Sequence, residues 1–295
     1  MTDCDKNNVE VSIILPCYNE QGSVSSTLEN LIAILADNHF ICEIIVVDDG
    51  STDKTREIVK QYPVTLICHS ENRGYGATLK TGIRQAKYDT IAITDADGTY
   101  PTDAIPDMIL SYKKDKMDMV VGARISNNVK IPIVRRPAKW FITRLGSFLA
   151  RQKIPDLNSG LRIMKKSVVE KFMHLLPDGF SFTSTITIAM LTNNYNVKYQ
   201  PIDYFKRKGK SKIRPVYDTI NFIQLIIRTI LYFEPLRIFL TISLPIIFVS
   251  FVLMIFQIIF FRNISTISVI MSMAGIQLLA IGMIADLIVK RDIVK

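Results

Sequence analysis

Residues 90–97 read Thr-Ile-Ala-Ile-Thr-Asp-Ala-Asp, an apolar run that ends in two acidic residues separated by one alanine. Four other short apolar runs occur in the first part of the chain, at residues 11–16, 43–48, 64–68 and 117–122. Each run has the length and the Val/Ile content of a buried strand. Because the runs are nearly continuous and do not alternate with polar residues, they predict a parallel sheet that is covered on both faces.

The segments between these runs predict helices, at residues 22–37, 53–61, 76–87 and 102–112. Alternating strands and helices indicate an α/β fold with a mostly parallel sheet and helices on both faces. Ligands of such sheets bind beyond the carboxyl ends of the strands. Asn19-Glu20, Asp48-Asp49 and Asp95-Ala96-Asp97 each follow a predicted strand. These polar side chains therefore predict a site for a cation or for hydroxyl groups at that edge.

The C-terminal part of the chain is strongly apolar. No charged residue occurs in residues 238–261 or in residues 264–285, and each run exceeds the roughly 20 residues that span a bilayer as a helix. We therefore predict a membrane domain at residues 236–295 with two transmembrane helices. Residues 215–235 have apolar residues at helical spacing and predict an amphipathic helix in the membrane interface, with packing against the sheet as the alternative. Residues 1–214 then form the globular domain.

The net charge of +9 is concentrated in two basic patches. Residues 130–153 contain seven lysines and arginines, residues 206–214 contain six, and neither patch contains an acidic residue. Such patches favour anionic partners, either phosphates or acidic lipid headgroups. Nucleic acid is not favoured, because aromatic residues are not interleaved with the charges and the second patch precedes the membrane segments.

The distribution of basic residues also predicts how the chain crosses the membrane. Basic residues precede the first predicted span and follow the second, whereas the loop at Arg262-Asn263 is too short for a domain. By the positive-inside rule, we predict a multi-pass protein of the cell membrane with its catalytic domain and both termini in the cytoplasm. A stripe of small residues on the second span (Ser268, Ser272, Gly275, Gly282) predicts close helix packing and is compatible with a homo-oligomer formed through the membrane helices.

Asp95-Ala96-Asp97 is the strongest chemical signal. Two carboxylates that flank one residue can offer oxygen ligands to Mg²⁺ or Mn²⁺ while a nucleotide diphosphate completes the coordination shell. An Asp-x-Asp sequence alone is weak evidence, since a solvated or capping pair is commoner. Its position after the fourth predicted strand, with Asp48-Asp49 after the second, makes it more specific.

Six motifs occur in an order that resembles family 2 glycosyltransferases, and more narrowly the polyprenyl-phosphate glycosyltransferases of the dolichol-phosphate mannose synthase type. The motifs are Leu15-Pro-Cys-Tyr-Asn-Glu20, Val46-Val-Asp-Asp-Gly-Ser51, Asn72-Arg-Gly-Tyr-Gly76, Asp95-Ala-Asp97, Ser159-Gly160 and Gly209-Lys-Ser-Lys212. The resemblance covers about residues 9–235 and implies a GT-A-like fold.

The resemblance also implies roles for individual residues. Asp95 and Asp97 would meet the cation and the diphosphate, with a backbone contact from Ala96. Arg124 and Arg136 correspond to arginines around the acceptor phosphate. The nucleoside would be cradled by five residues of the first two strand ends (Pro16, Tyr18, Glu20, Val47, Asp49). A basic loop would close over the donor and contact its phosphates (Lys206, Arg207, Ser211, Lys212).

Three departures from the family pattern leave the base and the sugar of the donor open. Thr99 stands where the mannose synthases have glutamine, a family lysine near Ser181 is absent, and Lys206 stands where arginine is frequent. The role of Asp156 is open as well, since it could orient the acceptor or donor sugar or cap the local turn.

The resemblance implies a membrane-anchored, metal-dependent, inverting enzyme that moves one sugar from a nucleotide-sugar donor to polyprenyl phosphate at the cytoplasmic face. Two alternatives are a transferase that acts on a growing glycan or a lipid-linked saccharide, and an inactive nucleotide-binding scaffold. Direct attack of the acceptor phosphate on the anomeric carbon is chemically reasonable. A phosphate monoester has a second pKa of about 6 and is largely dianionic at neutral pH.

Overall fold

The five apolar runs predicted as strands lie together in one sheet of a computed structural model. The structure describes residues 9–125, 147, 152, 154–179, 181–205, 231–232 and 235–293. Within these residues the sheet has seven strands in the order β3-β2-β1-β4-β6-β5-β7. Their bounds are Glu10–Cys17 (β1), Ile41–Asp48 (β2), Thr65–Cys68 (β3), Thr90–Ile93 (β4), Met119–Ala123 (β5), Arg162–Lys165 (β6) and Val197–Pro201 (β7).

Eight helices occur in the part of the chain that the structure describes. Their bounds are Val24–Asp37 (α1), Thr55–Val59 (α2), Tyr75–Gln85 (α3), Ala104–Lys114 (α4), Lys166–Phe172 (α5), Phe182–Thr192 (α6), Pro235–Phe261 (α7) and Thr266–Ile293 (α8). The four helices predicted between the first strands are confirmed with shifted ends. The sequence did not predict β6, β7, α5 or α6.

Helices cover both faces of the sheet. Successive side chains of a strand point to opposite faces, so each strand of the sheet contributes to a core on either side. Val11, Ile13 and Leu15 of β1 face one way and join a core with α1 and α4. Ile14 faces the other way, against α3, where a side chain at Gly82 would lie 2.5 Å from its methyl group. The predicted fold class is therefore confirmed.

One strand runs against the others. β6 is antiparallel to both of its neighbours, β4 and β5, whereas the other strand pairs are parallel. Arg162, the first residue of β6, pairs with Ile93 at the end of β4. The reversal therefore brings the residues that precede β6 to the edge where β4 and β5 end.

The Arg162 side chain fixes this preceding loop from inside the protein. It is fully buried, and its guanidinium donates to the carbonyl oxygens of Ser159 at 2.7 Å and Leu157 at 2.9 Å. A third bond reaches Thr187 Oγ1 of α6 at 2.5 Å. Burial lowers the pKa of Arg162, but a guanidinium still keeps its charge at neutral pH. The loop is therefore tied to a buried charge.

The chain divides into two units, Met1–Ile223 and Gln224–Lys295, and the second contains the helices α7 and α8. Both are long and apolar enough to cross a bilayer, with mean hydropathies of 2.7 and 2.1. Only 11 % and 17 % of their most apolar windows are buried, far less than in a core helix of a soluble domain. The two C-terminal apolar helices predicted from the sequence are confirmed.

The small-residue stripe of α8 packs against α7. A side chain at Gly275 would lie 2.6 Å from Ile247, and Gly282 packs against the ring of Phe239. Ser268 is buried and donates to Gln257 Oε1 at 3.0 Å. The stripe therefore brings the two helices close together, as small residues do in membrane proteins.

We predict that Arg162→Lys destabilises the globular unit by about 2 to 4 kcal/mol. A lysine cannot reproduce the bonds to both carbonyl oxygens, and each hydrogen bond to a charged group contributes about 1.5 to 3 kcal/mol. Thermal unfolding of the detergent-solubilised full chain measures the effect as a lower Tm. Arg84→Lys, on the exposed side of α3, is the matched control and should leave the Tm unchanged. An equal Tm for both variants would contradict the structural role of Arg162.

Candidate active site

The acidic motif lies in a turn directly beyond the carboxyl end of β4. Asp97 is 8 % exposed, and its Oδ1 accepts hydrogen bonds from the backbone nitrogen of Thr99 at 3.1 Å and from Thr99 Oγ1 at 2.6 Å. Gly98 between them has a φ of +71°, a conformation that glycine adopts without strain. Thr99 therefore orients Asp97, a role that the sequence comparison with a family glutamine did not predict.

Asp95 is held by residues from two other parts of the chain. The Tyr75 hydroxyl, at the start of α3, donates to Asp95 Oδ1 at 3.0 Å. The backbone of Gly160 lies against the same carboxylate, so that a Cβ at this position would be 2.8 Å from Asp95 Oδ2. Removal from water and the charge of Asp95 raise the pKa of Tyr75 well above its usual value, so the hydroxyl remains a donor.

Gly160 is fixed in turn by Tyr100. Its backbone nitrogen donates to the buried Tyr100 hydroxyl at 2.6 Å, and the ring of Tyr204 meets Tyr100 edge-to-face at 5.4 Å. Burial raises the pKa of Tyr100 above its usual range, so it also stays protonated. The antiparallel β6 thus places Ser159-Gly160 directly beside Asp95.

The described residues contain no group of three or more histidine, cysteine or acidic side chains that could form a complete metal site. Asp95 and Asp97 supply two carboxylates, separated by one residue, just beyond the end of β4. Mg²⁺ is commonly bound by one or two carboxylates together with water and substrate phosphates. The donor set therefore fits a divalent cation that arrives with a diphosphate.

The residues predicted to cradle the nucleoside come together where β1 and β2 end. Pro16 pairs with Val47 in the parallel ladder, and the backbone nitrogen of Asp49 donates to the carbonyl of Cys17 at 2.8 Å. The loop that contains Tyr18 and Glu20 is tied to the start of α2, because Glu20 N donates to Thr55 Oγ1 at 2.9 Å. The Val47 side chain is buried towards α3, so its backbone is the part that could reach a nucleoside.

Asp49 has a structural role in this corner. Its carboxylate accepts hydrogen bonds from the backbone nitrogens of Arg73 at 2.9 Å and Gly74 at 2.8 Å. His69 Nδ1 lies 2.8 Å from Asp49 Oδ1, and both side chains are about 5 % exposed. Asp49 therefore anchors the loop at residues 72–76, a role for which its motif gave no signal.

Arg124 forms an ion pair with the buried carboxylate of Asp156. Arg124 Nε and Nη2 donate to the two oxygens of Asp156 at 2.7 and 2.9 Å, and the Arg124 backbone nitrogen adds a third bond at 3.0 Å. Asn158 N contributes a fourth at 3.3 Å. A carboxylate has about four acceptor positions. The geometry therefore favours the capping alternative for Asp156 over contact with a sugar.

Arg124 keeps donors that this pair does not use. A guanidinium has five N–H groups, and two of them bond Asp156. The side chain is 18 % exposed and lies over the ring of Tyr204 at 5.2 Å. Burial opposes its charge, but the interactions with Tyr100 and Asp156 outweigh this effect and raise the pKa of Arg124. Arg124 is therefore a permanent cation at the rim of the site.

Five predicted site residues lie outside the described part of the chain: Arg136, Lys206, Arg207, Ser211 and Lys212. Their roles remain those that the sequence predicts. Sequence reasoning in turn did not identify Tyr75, Tyr100, His69 or Arg162. Two of them had a visible signal: Tyr75 belongs to the motif Asn72-Arg-Gly-Tyr-Gly76, and Arg162 is an arginine inside the apolar sequence Leu161-Arg-Ile-Met164.

Comparison with solved structures supports the fold. Glucosyl-3-phosphoglycerate synthase from Mycobacterium tuberculosis, solved in complex with Mn²⁺, UDP and phosphoglyceric acid, superimposes with a TM-score of 0.62. The alignment covers 77 % of this chain and 81 % of that protein at 15 % identity. At this level of identity the similarity shows a shared GT-A-like fold.

Relatives found by sequence share a higher identity with this chain than that structure does. Dolichyl-phosphate hexose transferase of Haloferax volcanii is 28 % identical over 207 residues, which are 70 % of this chain and 87 % of the relative. Dolichol-phosphate mannosyltransferase of Pyrococcus furiosus is 30 % identical over 218 residues, which are 70 % of this chain and 60 % of the relative.

Two family descriptions match the chain itself. Residues 234–290 match the GtrB C-terminal hairpin, which coincides with α7 and α8. Residues 12–173 match Glycosyl transferase family 2 and include the acidic motif, Arg124, Asp156 and Arg162. The chain is therefore a glycosyltransferase that belongs to family 2 and has a GtrB-type C-terminal hairpin.

Proposed function

We propose that this enzyme transfers a single sugar from a nucleotide-sugar donor to polyprenyl phosphate at the cytoplasmic face of the membrane, with inversion at the anomeric carbon. The observation that carries the proposal is a family 2 domain with an oriented Asp95-Ala96-Asp97 edge, followed by an apolar hairpin. The names of the Haloferax and Pyrococcus relatives support the same acceptor class.

The donor would lie at the carboxyl edge of β1, β2 and β4. Asp95 and Asp97 would hold Mg²⁺ or Mn²⁺, which neutralises charge on the departing nucleoside diphosphate. The corner formed by the ends of β1 and β2 would hold the nucleoside (Pro16, Tyr18, Glu20, Val47, Asp49). The predicted basic loop would contact the phosphates from the other side (Lys206, Arg207, Ser211, Lys212).

The acceptor would supply its own nucleophile. An oxygen of the lipid phosphate forms a bond to the anomeric carbon while the bond from that carbon to the diphosphate oxygen breaks. A phosphate monoester is largely dianionic above its second pKa of about 6, so the step needs no protein base. Asp156 supports this scheme, because its oxygens are occupied by Arg124 and Asn158. Arg124 and Arg136 would bind the acceptor phosphate.

The proposal includes the membrane arrangement. The catalytic domain would comprise residues 1–214, the interfacial amphipathic helix residues 215–235 and the membrane domain residues 236–295. The length, apolarity and low burial of α7 and α8 support two spans. The basic residues on both flanks support a cytoplasmic catalytic domain.

The proposal is tested by the lipid product. The purified full chain in detergent is incubated with a panel of sugar nucleotides, Mg²⁺ or Mn²⁺ and isolated polyprenyl phosphate, and the lipid fraction is analysed by mass spectrometry. We expect the mass of one added hexose or N-acetylhexosamine. Asp97→Asn should lower the rate by at least about 100-fold, because several kcal/mol of transition-state stabilisation depend on the cation.

Asp107→Asn, an exposed residue of α4, is the matched control and should retain the wild-type rate. Transfer only to a growing glycan or a lipid-linked saccharide would replace the proposed acceptor. Metal-dependent nucleotide binding without turnover of any donor would instead indicate a scaffold.

The topology predicts that the loop between α7 and α8 is accessible from outside the cell. In a host that expresses Asn263→Cys, a membrane-impermeant maleimide added to intact cells should label the protein. The native cysteines (Cys4, Cys17, Cys42, Cys68) lie in the predicted cytoplasmic domain and should react only after permeabilisation. Labelling of the wild-type protein in intact cells, with protection of residue 263, would place the catalytic domain outside.

A further inference from the structure

Tyr75 stands where the loop at residues 72–76 enters α3, and the proposed reaction assigns no role to it. The sequence shows this stretch only as one of the six motifs that resemble the family, with no role for a single residue. In the structure the Tyr75 hydroxyl reaches across to Asp95 Oδ1 at 3.0 Å, and the backbone of Gly160 closes on the Oδ2 side of the same carboxylate. The carboxylate of Asp95 is thus confined between a hydroxyl donor and a backbone segment.

The loop that carries Tyr75 is itself fixed at its start. The Asp49 carboxylate binds the backbone nitrogens of Arg73 and Gly74 at 2.9 and 2.8 Å. His69 lies between Asp49 Oδ1 and Thr81 Oγ1 of α3, at 2.8 and 3.0 Å. Gly74 has a φ of +100°, which a residue with a side chain would adopt only under strain.

The loop is fixed at its end as well. Gly76 has no room for a side chain, because a Cβ there would overlap the carbonyl oxygen of Pro177. Ala77 N donates to the carbonyl of Asp178 at 3.0 Å, and Lys80 pairs with the Asp178 side chain at 2.7 Å. Tyr75 therefore projects from a segment that is held on both sides, which gives its hydroxyl a defined position.

Asp97 shows the same arrangement on the second carboxylate. Thr99 Oγ1 donates to Asp97 Oδ1 at 2.6 Å, as the Tyr75 hydroxyl does to Asp95 Oδ1. Groups that hydrogen-bond a metal-ligating carboxylate orient it, and their removal commonly weakens metal binding by about 10- to 100-fold. A hydroxyl is suited to this task because it fixes the carboxylate without cancelling its charge.

We propose that Tyr75 is a positioning residue, which orients Asp95 for the cation that accompanies the donor diphosphate. The proposal rests on the cation role assigned to Asp95 and Asp97 under the proposed function. It assigns to the Asn72-Arg-Gly-Tyr-Gly76 motif a link between the acidic residue at the end of β2 and the acidic motif at the end of β4. Tyr75 would act through Asp95 and would not touch the donor.

The test measures cation affinity in the detergent-solubilised full chain. Mn²⁺ is titrated in the presence of saturating UDP or GDP, whichever the wild type binds, and free Mn²⁺ is measured by electron paramagnetic resonance. Tyr75→Phe should raise the Kd for Mn²⁺ by about 10-fold or more while the affinity for the nucleotide without metal and the Tm stay close to wild type. Tyr62→Phe is the matched control, because its hydroxyl binds Glu29 and Ser25 away from the site.

Each other outcome is decisive. An unchanged Mn²⁺ affinity in folded Tyr75→Phe overturns the positioning role and leaves the proposed function intact. A loss of nucleotide affinity without metal also overturns it, because the hydroxyl would then contact the donor directly. Absence of Mn²⁺ binding by the wild type with either nucleotide rejects the cation role and, with it, the role of Tyr75.

A second variant covers the case in which Tyr75→Phe does not fold. Gly160→Ala places a methyl group against Asp95 without changing the hydroxyl, and it should weaken Mn²⁺ binding in the same way. Normal Mn²⁺ affinity in folded Gly160→Ala would show that cation binding does not depend on the orientation of Asp95, which overturns the proposal.

Discussion

The buried guanidinium of Arg162 is the interaction on which the shape of the site depends. It stands at the point where the antiparallel strand β6 enters an otherwise parallel sheet, and it binds the carbonyl oxygens of Leu157 and Ser159. Burying a charge is costly unless its hydrogen-bond donors are satisfied. If the loop moved away, the buried guanidinium would lose these partners. This constraint keeps Gly160 against Asp95 and Asp156 against Arg124.

The acids at this edge differ in the groups that hold them. Asp48 binds Arg56, and Asp156 binds Arg124, so in these two pairs a guanidinium offsets the carboxylate charge. The donors described for Asp95 and Asp97 are the Tyr75 hydroxyl and the backbone nitrogen and hydroxyl of Thr99. An ion pair neutralises a carboxylate, whereas a hydroxyl that donates to it fixes its position without cancelling its charge.

The sequence predicted much of the fold and the position of the acidic motif, because both depend on local patterns. Apolar runs identified β1 to β5, and the order of strand ends brought Asp49 and Asp95 to one edge. β6 and β7 were not predicted, since each has only four or five residues with polar ones among them, and α6 is buried along nearly its whole length and shows no helical periodicity. The roles of Tyr75, Tyr100 and Arg162 depend on contacts between residues 20 to 60 positions apart or on complete burial, which no local pattern encodes.

The proposed reaction brings two anions together, the acceptor phosphate and the donor diphosphate, and the packing between their proposed binding groups would set the distance between them. Arg124 lies over Tyr204, Tyr204 packs edge-to-face on Tyr100, and the Tyr100 hydroxyl accepts the bond from Gly160 N beside Asp95. A cation–π contact, a ring contact and a hydrogen bond therefore connect Arg124 to Gly160, which lies beside Asp95. A phosphate on Arg124 and a diphosphate near Asp95 would repel each other in water. In the proposed reaction these contacts would meet the cost of that approach during folding, so that binding would bring the attacking oxygen and the anomeric carbon into line.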